Sequence, residues 1–166
     1  MQCIIEKVKL KELKMVNNTM NIQIRKARID DLEQIDNIEK TLEHRILSYD
    51  LLKNTIGKDT YFYFVAIVNN IIVGYISAEI LVDHIDILSV AVFKAYTRQN
   101  IATMLLNELF KTCSTYNIKN IFLEVRPSNF AAIKLYEKNG FKKISTRKNY
   151  YTDTNEDAYI YLTEMV

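Results

Sequence analysis

In the stretch Ile121-Phe122-Leu123-Glu124-Val125-Arg126 a carboxylate interrupts a run of strand-forming residues. Period-two alternation puts Ile121, Leu123 and Val125 on one face and Phe122, Glu124 and Arg126 on the other. A charge in an apolar strand is costly unless it is paired or solvated. Two readings fit. Glu124 is either a salt-bridge partner, with Arg126 the nearest cation, or a carboxylate lining a cleft, where desolvation would lift its pKa toward that of a base. A second chemical feature lies at residues 87–106, where the β-branched run Ile87 to Val92 gives way to the polar turn Lys94 to Asn100 and then to apolar residues at helical spacing from Ile101. A loop entering a helix offers unpartnered N–H groups and the positive end of the macrodipole, which suits a phosphate, and Arg98 adds a full charge. Tyr136 lies in the helix that follows the Glu124 strand, so its phenol can return toward the same strand ends. Asn129 reads first as the cap of that helix and second as a ligand contact.

The elements that must position these residues follow from periodicity. Asn21 to Ala27 alternates as a strand, and Asp30 is placed to cap a helix whose stripe is Leu32, Ile35, Ile38 and Leu42. Ser48 caps a short helix through Ile56 that ends near Gly57. Tyr61 to Val68 and Ile71 to Val82 are strands joined by Asn69-Asn70, a pair that tolerates the positive φ of a tight hairpin. Ile85 to Val92 completes an antiparallel meander. After the central turn, a helix buries Ile101, Leu105, Leu106, Leu109 and Cys113. A second strand-turn-helix unit runs from Ile121 through Pro127-Ser128-Asn129 to a helix at Phe130 to Asn139, stopped by Gly140. Phe141 to Arg147 and Asp157 to Thr163 form a closing hairpin, with Lys148 to Glu156 as its loop. The fold class is therefore α/β, a mixed and mostly antiparallel twisted sheet flanked by helices, with ligands expected beyond the carboxyl ends of its strands.

Composition narrows the function classes. The chain has 166 residues, 25% of them charged and 49% hydrophobic, with a formal net charge of +2. That is one ordinary domain with no general affinity for nucleic acid. No apolar run approaches the ~20 residues that span a bilayer, and the first residues lack the apolar core of a secretory signal, so the expected location is the cytoplasm. Residues 1–20 read as an N-terminal extension that need not be ordered, and 21–166 as the single domain. Cys3 and Cys113 show no metal-ligand spacing, no metal site is expected, and neither cysteine suggests a nucleophile. His44 and His84 read as ordinary surface or strand residues. Nothing distinguishes a monomer from a weak dimer.

Three stretches carry a resemblance. They are Asp86 to Val92 with Tyr96-Thr97-Arg98-Gln99-Asn100-Ile101-Ala102; Leu123-Glu124-Val125-Arg126-Pro127-Ser128-Asn129 with Ala131 to Phe141; and Arg147-Lys148-Asn149-Tyr150-Tyr151 with Glu156-Asp157-Ala158. Residues 22 to 164 resemble the GNAT superfamily of acetyl-CoA-dependent N-acetyltransferases, and the second half resembles its RimI-type branch, which acetylates the N-terminal alanine of a ribosomal protein.

The resemblance implies roles residue by residue. The backbone of Val90, Ala91 and Val92 would pair with the pantetheine arm of acetyl-CoA. Thr97, Arg98, Gln99, Asn100, Ile101, Ala102 and Thr103 would wrap its pyrophosphate, and Asn129 would contact the cofactor. Glu124 would be the general base and Tyr136, beside the cofactor, the general acid. Tyr150 and Tyr151 would grip the N-terminus of the acceptor protein or peptide. The chain departs from the family pattern at Thr97, where Gln or Arg is usual, and at Asn100, where glycine is usual. Asparagine tolerates left-handed backbone angles better than other non-glycine residues, so the turn can still close. The rival functions are acetylation of a lysine or a small polyamine, and a non-catalytic acyl-CoA-binding module.

Overall fold

A computed structural model describes residues 21–165, so the expected extension at 1–20 lies outside the described residues. Seven strands form one sheet in the order β1-β2-β3-β4-β5-β7-β6. They are β1 (Gln23–Lys26), β2 (Tyr61–Val68), β3 (Ile71–Ile80), β4 (His84–Val92), β5 (Asn120–Val125), β6 (Lys142–Tyr151) and β7 (Glu156–Glu164). Four α-helices flank it: α1 (Leu32–Glu39), α2 (Tyr49–Thr55), α3 (Ile101–Thr115) and α4 (Phe130–Lys138). Among the described residues only β4 and β5 run parallel. The mixed, mostly antiparallel sheet expected from the sequence is the observed one.

The helices divide between the two faces. One apolar layer packs α3 and α4 on the sheet through Leu105, Leu106, Leu109, Cys113 and Tyr136, with Ile85, Ile87, Ile121, Leu123 and Val125 beneath them. The other packs α1 and α2 through Ile35, Ile38, Leu47 and Leu52 against Tyr63, Val65, Tyr75 and Ala91. Asn69 and Asn70 take φ of 48° and 63° and close the β2–β3 hairpin as their type allows. Ser48 accepts the Leu51 N–H at 3.1 Å and caps α2. Gly140 stops α4 at φ 90°.

Some boundaries differ from the sequence reading, each for a local reason. The first helix starts after Asp31 rather than Asp30, because a 3-10 turn at Ile29–Asp31 precedes it. Asp31 is held there by Arg25 at 2.6 and 2.9 Å and by the Arg28 N–H at 2.7 Å. Leu42 lies past the end of α1, half-buried in the following loop. The β6–β7 ladder extends to Tyr151, leaving a loop shorter than Lys148 to Glu156. Asp157 reaches back to Lys148 Nζ at 2.7 Å and the Asn149 N–H at 3.0 Å, so that segment is fastened to the hairpin through an irregular register.

The feature that shapes the site is a bulge. Ser77 pairs with Ser89 but Ala78 pairs with Ile87, so Leu88 has no partner on β3. An extra residue inverts the alternation. Before it, Ile85 and Ile87 face α3 and α4; after it, Val90 and Val92 do, while Ala91 turns to the α1–α2 side.

Candidate active site

β4 and β5 are paired for only four residues each, from His84 with Asn120 to Ile87 with Leu123. Beyond that point β4 continues to Val92 along β3, and β5 continues along β7, so the two strands part in the middle of the sheet. The edge of β4 at Val90, Ala91 and Val92 is left open toward the split. An extended chain with amide groups, such as a pantetheine arm, can pair with such an edge.

The split leads to the turn before α3. A 3-10 turn at Lys94–Tyr96 and an extended Thr97 bring the chain to Arg98 and Asn100, both at φ 61°. Left-handed residues alternating through a turn gather successive N–H groups into an anion-binding concavity, and the N-terminus of a fifteen-residue helix stands behind this one. Thr97, Arg98 and Asn100 are exposed, Gln99, Ala102 and Thr103 are half-buried, and Ile101 anchors the turn in the core. Asn100 stands at the N-cap, yet its side chain makes no capping hydrogen bond. At the second helix, Asn129 caps α4 by accepting the Ala132 N–H at 3.1 Å, which leaves its amide NH₂ free of that bond.

Glu124 stands at the split on the α1–α2 face of the sheet. It lines a cavity of about 690 Å³ with Ile46, Leu51, Asp86, Arg147, Tyr150 and Tyr151 among its walls. Its carboxylate pairs with Arg147, two strands away on β6. The cation weighed from sequence, Arg126, is engaged elsewhere. It is held by Asp153 at 3.0 and 2.9 Å, by Thr154 at 2.6 Å and by Glu156 at 3.4 Å, and it stacks on the Tyr151 ring at 3.9 Å. Tyr150 and Tyr151 meet edge to face at 5.1 Å. Glu124 raises the pKa of Tyr150, first as its hydrogen-bond partner and then, with burial, through its charge. Burial first, then the Glu124 charge, pushes Tyr151 up to about 12. The two tyrosines and Glu124 therefore form one wall.

Tyr136 is on the other side. It is buried in the layer beneath α4 with its ring 5.6 Å from Phe141, and it does not line the cavity. Burial raises its phenol far above the ordinary range, so it holds its proton at neutral pH. The sequence reading put both residues near the same strand ends. The structure puts them on opposite faces of β5, with the split between them. Cys113, in the same buried layer, has its thiol pushed up to about 11 by burial and lies away from the cavity.

The profile of the acetyltransferase (GNAT) family matches residues 29–141, a span that holds the β4–α3 and β5–α4 units just described. The chain belongs to that family. It is similar to the N-alpha-acetyltransferase of Saccharolobus solfataricus, at 38% identity over 90% of this chain and 96% of that one. It is also similar to the ribosomal protein bS18-alanine N-acetyltransferase of Escherichia coli strain K12, at 35% identity over 61% of this chain and 70% of that one. The crystal structure of the corresponding Escherichia coli enzyme superimposes with a TM-score of 0.80 at 28% identity, covering 87% of this chain and 94% of that one. The protein is thus an N-acetyltransferase with the GNAT fold.

For a GNAT enzyme the cavity contains more chemistry than the sequence reading assigned. Asp86 and His84 line it from β4, one beside the other across an Nε2–Oδ1 distance of 3.6 Å. Burial raises the Asp86 pKa against the opposing pull of His84, with Glu124 adding to the rise. The signal was present: His84 and Asp86 alternate with Ile85 and Ile87 just as Glu124 alternates with Leu123 and Val125. Arg147 carried no such signal, since its role depends on which strand lies next to β7. His44, read as a surface residue, reaches Asp153 at 3.2 Å and so links the α1–α2 loop to the β6–β7 loop. Among the described residues no helix is long and apolar enough to cross a membrane.

Proposed function

We propose that this enzyme transfers the acetyl group of acetyl-CoA to the α-amine of a protein N-terminus, by direct attack in a ternary complex. Acetyl-CoA is the donor of the family. The observation that carries the reading is the position of Glu124, at the point where β4 and β5 part, with the open β4 edge on one side and a peptide-sized cavity on the other.

In this reading the donor lies along Val90 to Val92 with its pyrophosphate at residues 97–103, and Asn129 contacts it. The thioester enters the split. The acceptor comes from the α1–α2 face, where Tyr150 and Tyr151 hold its first residues. Glu124, directly or through a water, takes the ammonium proton, and the free amine attacks the thioester carbonyl carbon. Strand N–H groups near Val92 stabilise the oxyanion of the tetrahedral intermediate. The C–S bond then breaks as the attacking nitrogen gives up its second proton to water, and Tyr136, reached through the split from the α4 face, gives its phenolic proton to the CoA thiolate and regains one from solvent. Cys113 takes no part, in keeping with its place in the core.

An α-amine has a pKa of about 8 and a lysine about 10.4, so deprotonating the lysine costs about 3 kcal/mol more at a given pH. One carboxylate base suits the first. The relatives named above are N-terminal acetyltransferases, and the alanine of a ribosomal protein is the acceptor tried first. Arg147 on Glu124 places a cation in the cleft and disfavours a polyamine.

Thiol release with acetyl-CoA tests the proposal, using free peptides that begin with Ala, Ser or Met beside N-terminally blocked peptides that contain lysine. Turnover of the free set is expected. Turnover of the blocked set alone would reject the acceptor, and donor binding without any release would indicate a non-catalytic module.

A further inference from the structure

Glu39, the last residue of α1, is wholly buried and has no part in the steps above. A buried carboxylate persists only where donors meet it, and four do. One oxygen accepts the backbone N–H groups of Ile46 at 2.8 Å and Leu47 at 3.0 Å. The other accepts the Tyr75 hydroxyl of β3 and Ser89 Oγ of β4 at 3.2 Å, and those two hydroxyls are 2.7 Å apart. Ile46 and Leu47 form the wall of the cavity contributed by the α1–α2 loop. Ser89 directly precedes Val90 on the open edge of β4. The outer part of the loop has a separate anchor, since Asp36 holds Lys40 at 2.7 Å and also pairs with Arg45.

We infer that Glu39 is a positioning residue that fastens the acceptor-side wall at Ile46 and Leu47 to the strand proposed to carry the donor, and so governs acceptor recognition rather than donor binding. The inference rests on the reading of this cavity as the acceptor site. The loop from Lys40 to Leu47 lies in no helix or strand, so the two N–H groups have no ladder to join. Without the carboxylate they are orphaned beside an apolar layer, and the wall shifts to find water.

The chemistry of the pair of hydroxyls separates this role from general packing. In Glu39→Gln the amide oxygen can still accept both backbone N–H groups, while its NH₂ donates to Tyr75 and Ser89, whose hydroxyl protons can turn away. The backbone donors have no such freedom. Glu39→Gln is therefore expected to keep the acceptor KM within about threefold, and Glu39→Ala to raise it about tenfold or more, with the acetyl-CoA Kd within about twofold in both. Amide hydrogen exchange at Ile46 and Leu47 should quicken by a similar factor in Glu39→Ala and stay near the wild type in Glu39→Gln.

An unchanged acceptor KM in Glu39→Ala, or an equal loss of donor affinity, would overturn the inference. If Glu39→Ala does not fold, Tyr75→Phe combined with Ser89→Ala removes the two sheet donors and leaves the loop bonds. A raised acceptor KM with donor affinity retained then supports the inference, and no change rejects it. The two readings fail separately. Wild-type turnover confined to blocked lysine peptides would reject the N-terminal acceptor, while the same KM comparison on the lysine peptide still decides Glu39.

Discussion

The turn before α3 allows a prediction whose size follows from its backbone. Asn100 sits at φ 61° and ψ 10°, and its side chain caps nothing. For a residue with a Cβ, left-handed angles cost roughly 1–2 kcal/mol, less for asparagine, and nothing for glycine. Asn100→Gly thus removes a small strain and forfeits no hydrogen bond. Against this, glycine makes the unfolded chain more flexible, at a cost of roughly 0.5–1 kcal/mol. The two nearly cancel in stability, so Tm should move by no more than about 2–4 °C. They do not cancel in binding, since the unfolded chain plays no part there and the glycine turn presents its N–H groups with no side chain beside the pyrophosphate. The acetyl-CoA Kd should be unchanged or tighter. Asn100→Ala keeps the Cβ and loses the tolerance of asparagine, so the full strain of roughly 1–2 kcal/mol appears, equivalent to about 5–30-fold weaker binding if the turn opens to relieve it. Isothermal titration with acetyl-CoA and a thermal melt of each variant measure both effects. Weaker binding in Asn100→Gly by more than about fivefold would show that the asparagine side chain itself holds the cofactor. Unchanged binding in Asn100→Ala would show that the turn bears no such strain.

Glu124→Gln is expected to lower kcat about 10²–10⁴-fold, as measured by thiol release, with the acetyl-CoA Kd retained. Full turnover in that variant would end the base assignment. Tyr136→Phe should lower kcat with donor binding intact, and because the change keeps the buried ring packed against Phe141, its melt should scarcely change. For Asp86, folding raises the pKa above the ordinary 3.8, so the folded state binds the proton more tightly and stability falls as pH rises through the raised value. Asp86→Asn should therefore raise Tm at neutral pH and lose that gain below about pH 4, in melts across the range.

The fold was legible because local signals agreed with the tertiary arrangement. Asn69-Asn70, Ser48, Gly57 and Gly140 each occupy the turn or cap their chemistry favours, and the apolar stripe of α3 is buried as spaced. The errors lie where a polar side chain overrides local pattern. Asp31 is held in a 3-10 turn by two arginines, and Asp157 extends the β6 ladder past Arg147. The partners lie within eight residues, but apolar periodicity carries no information about which side-chain hydrogen bond will form.

The candidate site was legible as residues but not as an arrangement, and the bulge at Leu88 explains why. Strict alternation through Ile85 to Val92 would keep one set of side chains facing α3 and α4 along the whole strand. One unpaired residue exchanges the sets, so that Asp86 and Leu88 precede Ser89 and Ala91 on the α1–α2 side while Val90 and Val92 rejoin the other layer. A bulge bends the strand that carries it, which accords with the pairing of β4 with β5 ending at Ile87. The opening between the strands and the placing of Glu124 and Tyr136 on opposite faces are then two aspects of the same geometry. A base and an acid separated by a sheet can serve one reaction only if the reacting carbon lies in the opening, with its amine on the Glu124 side and its sulfur on the Tyr136 side. In the mechanism proposed above the two substrates therefore arrive from opposite faces, and a free-standing acyl-CoA site would have no use for the Glu124 wall.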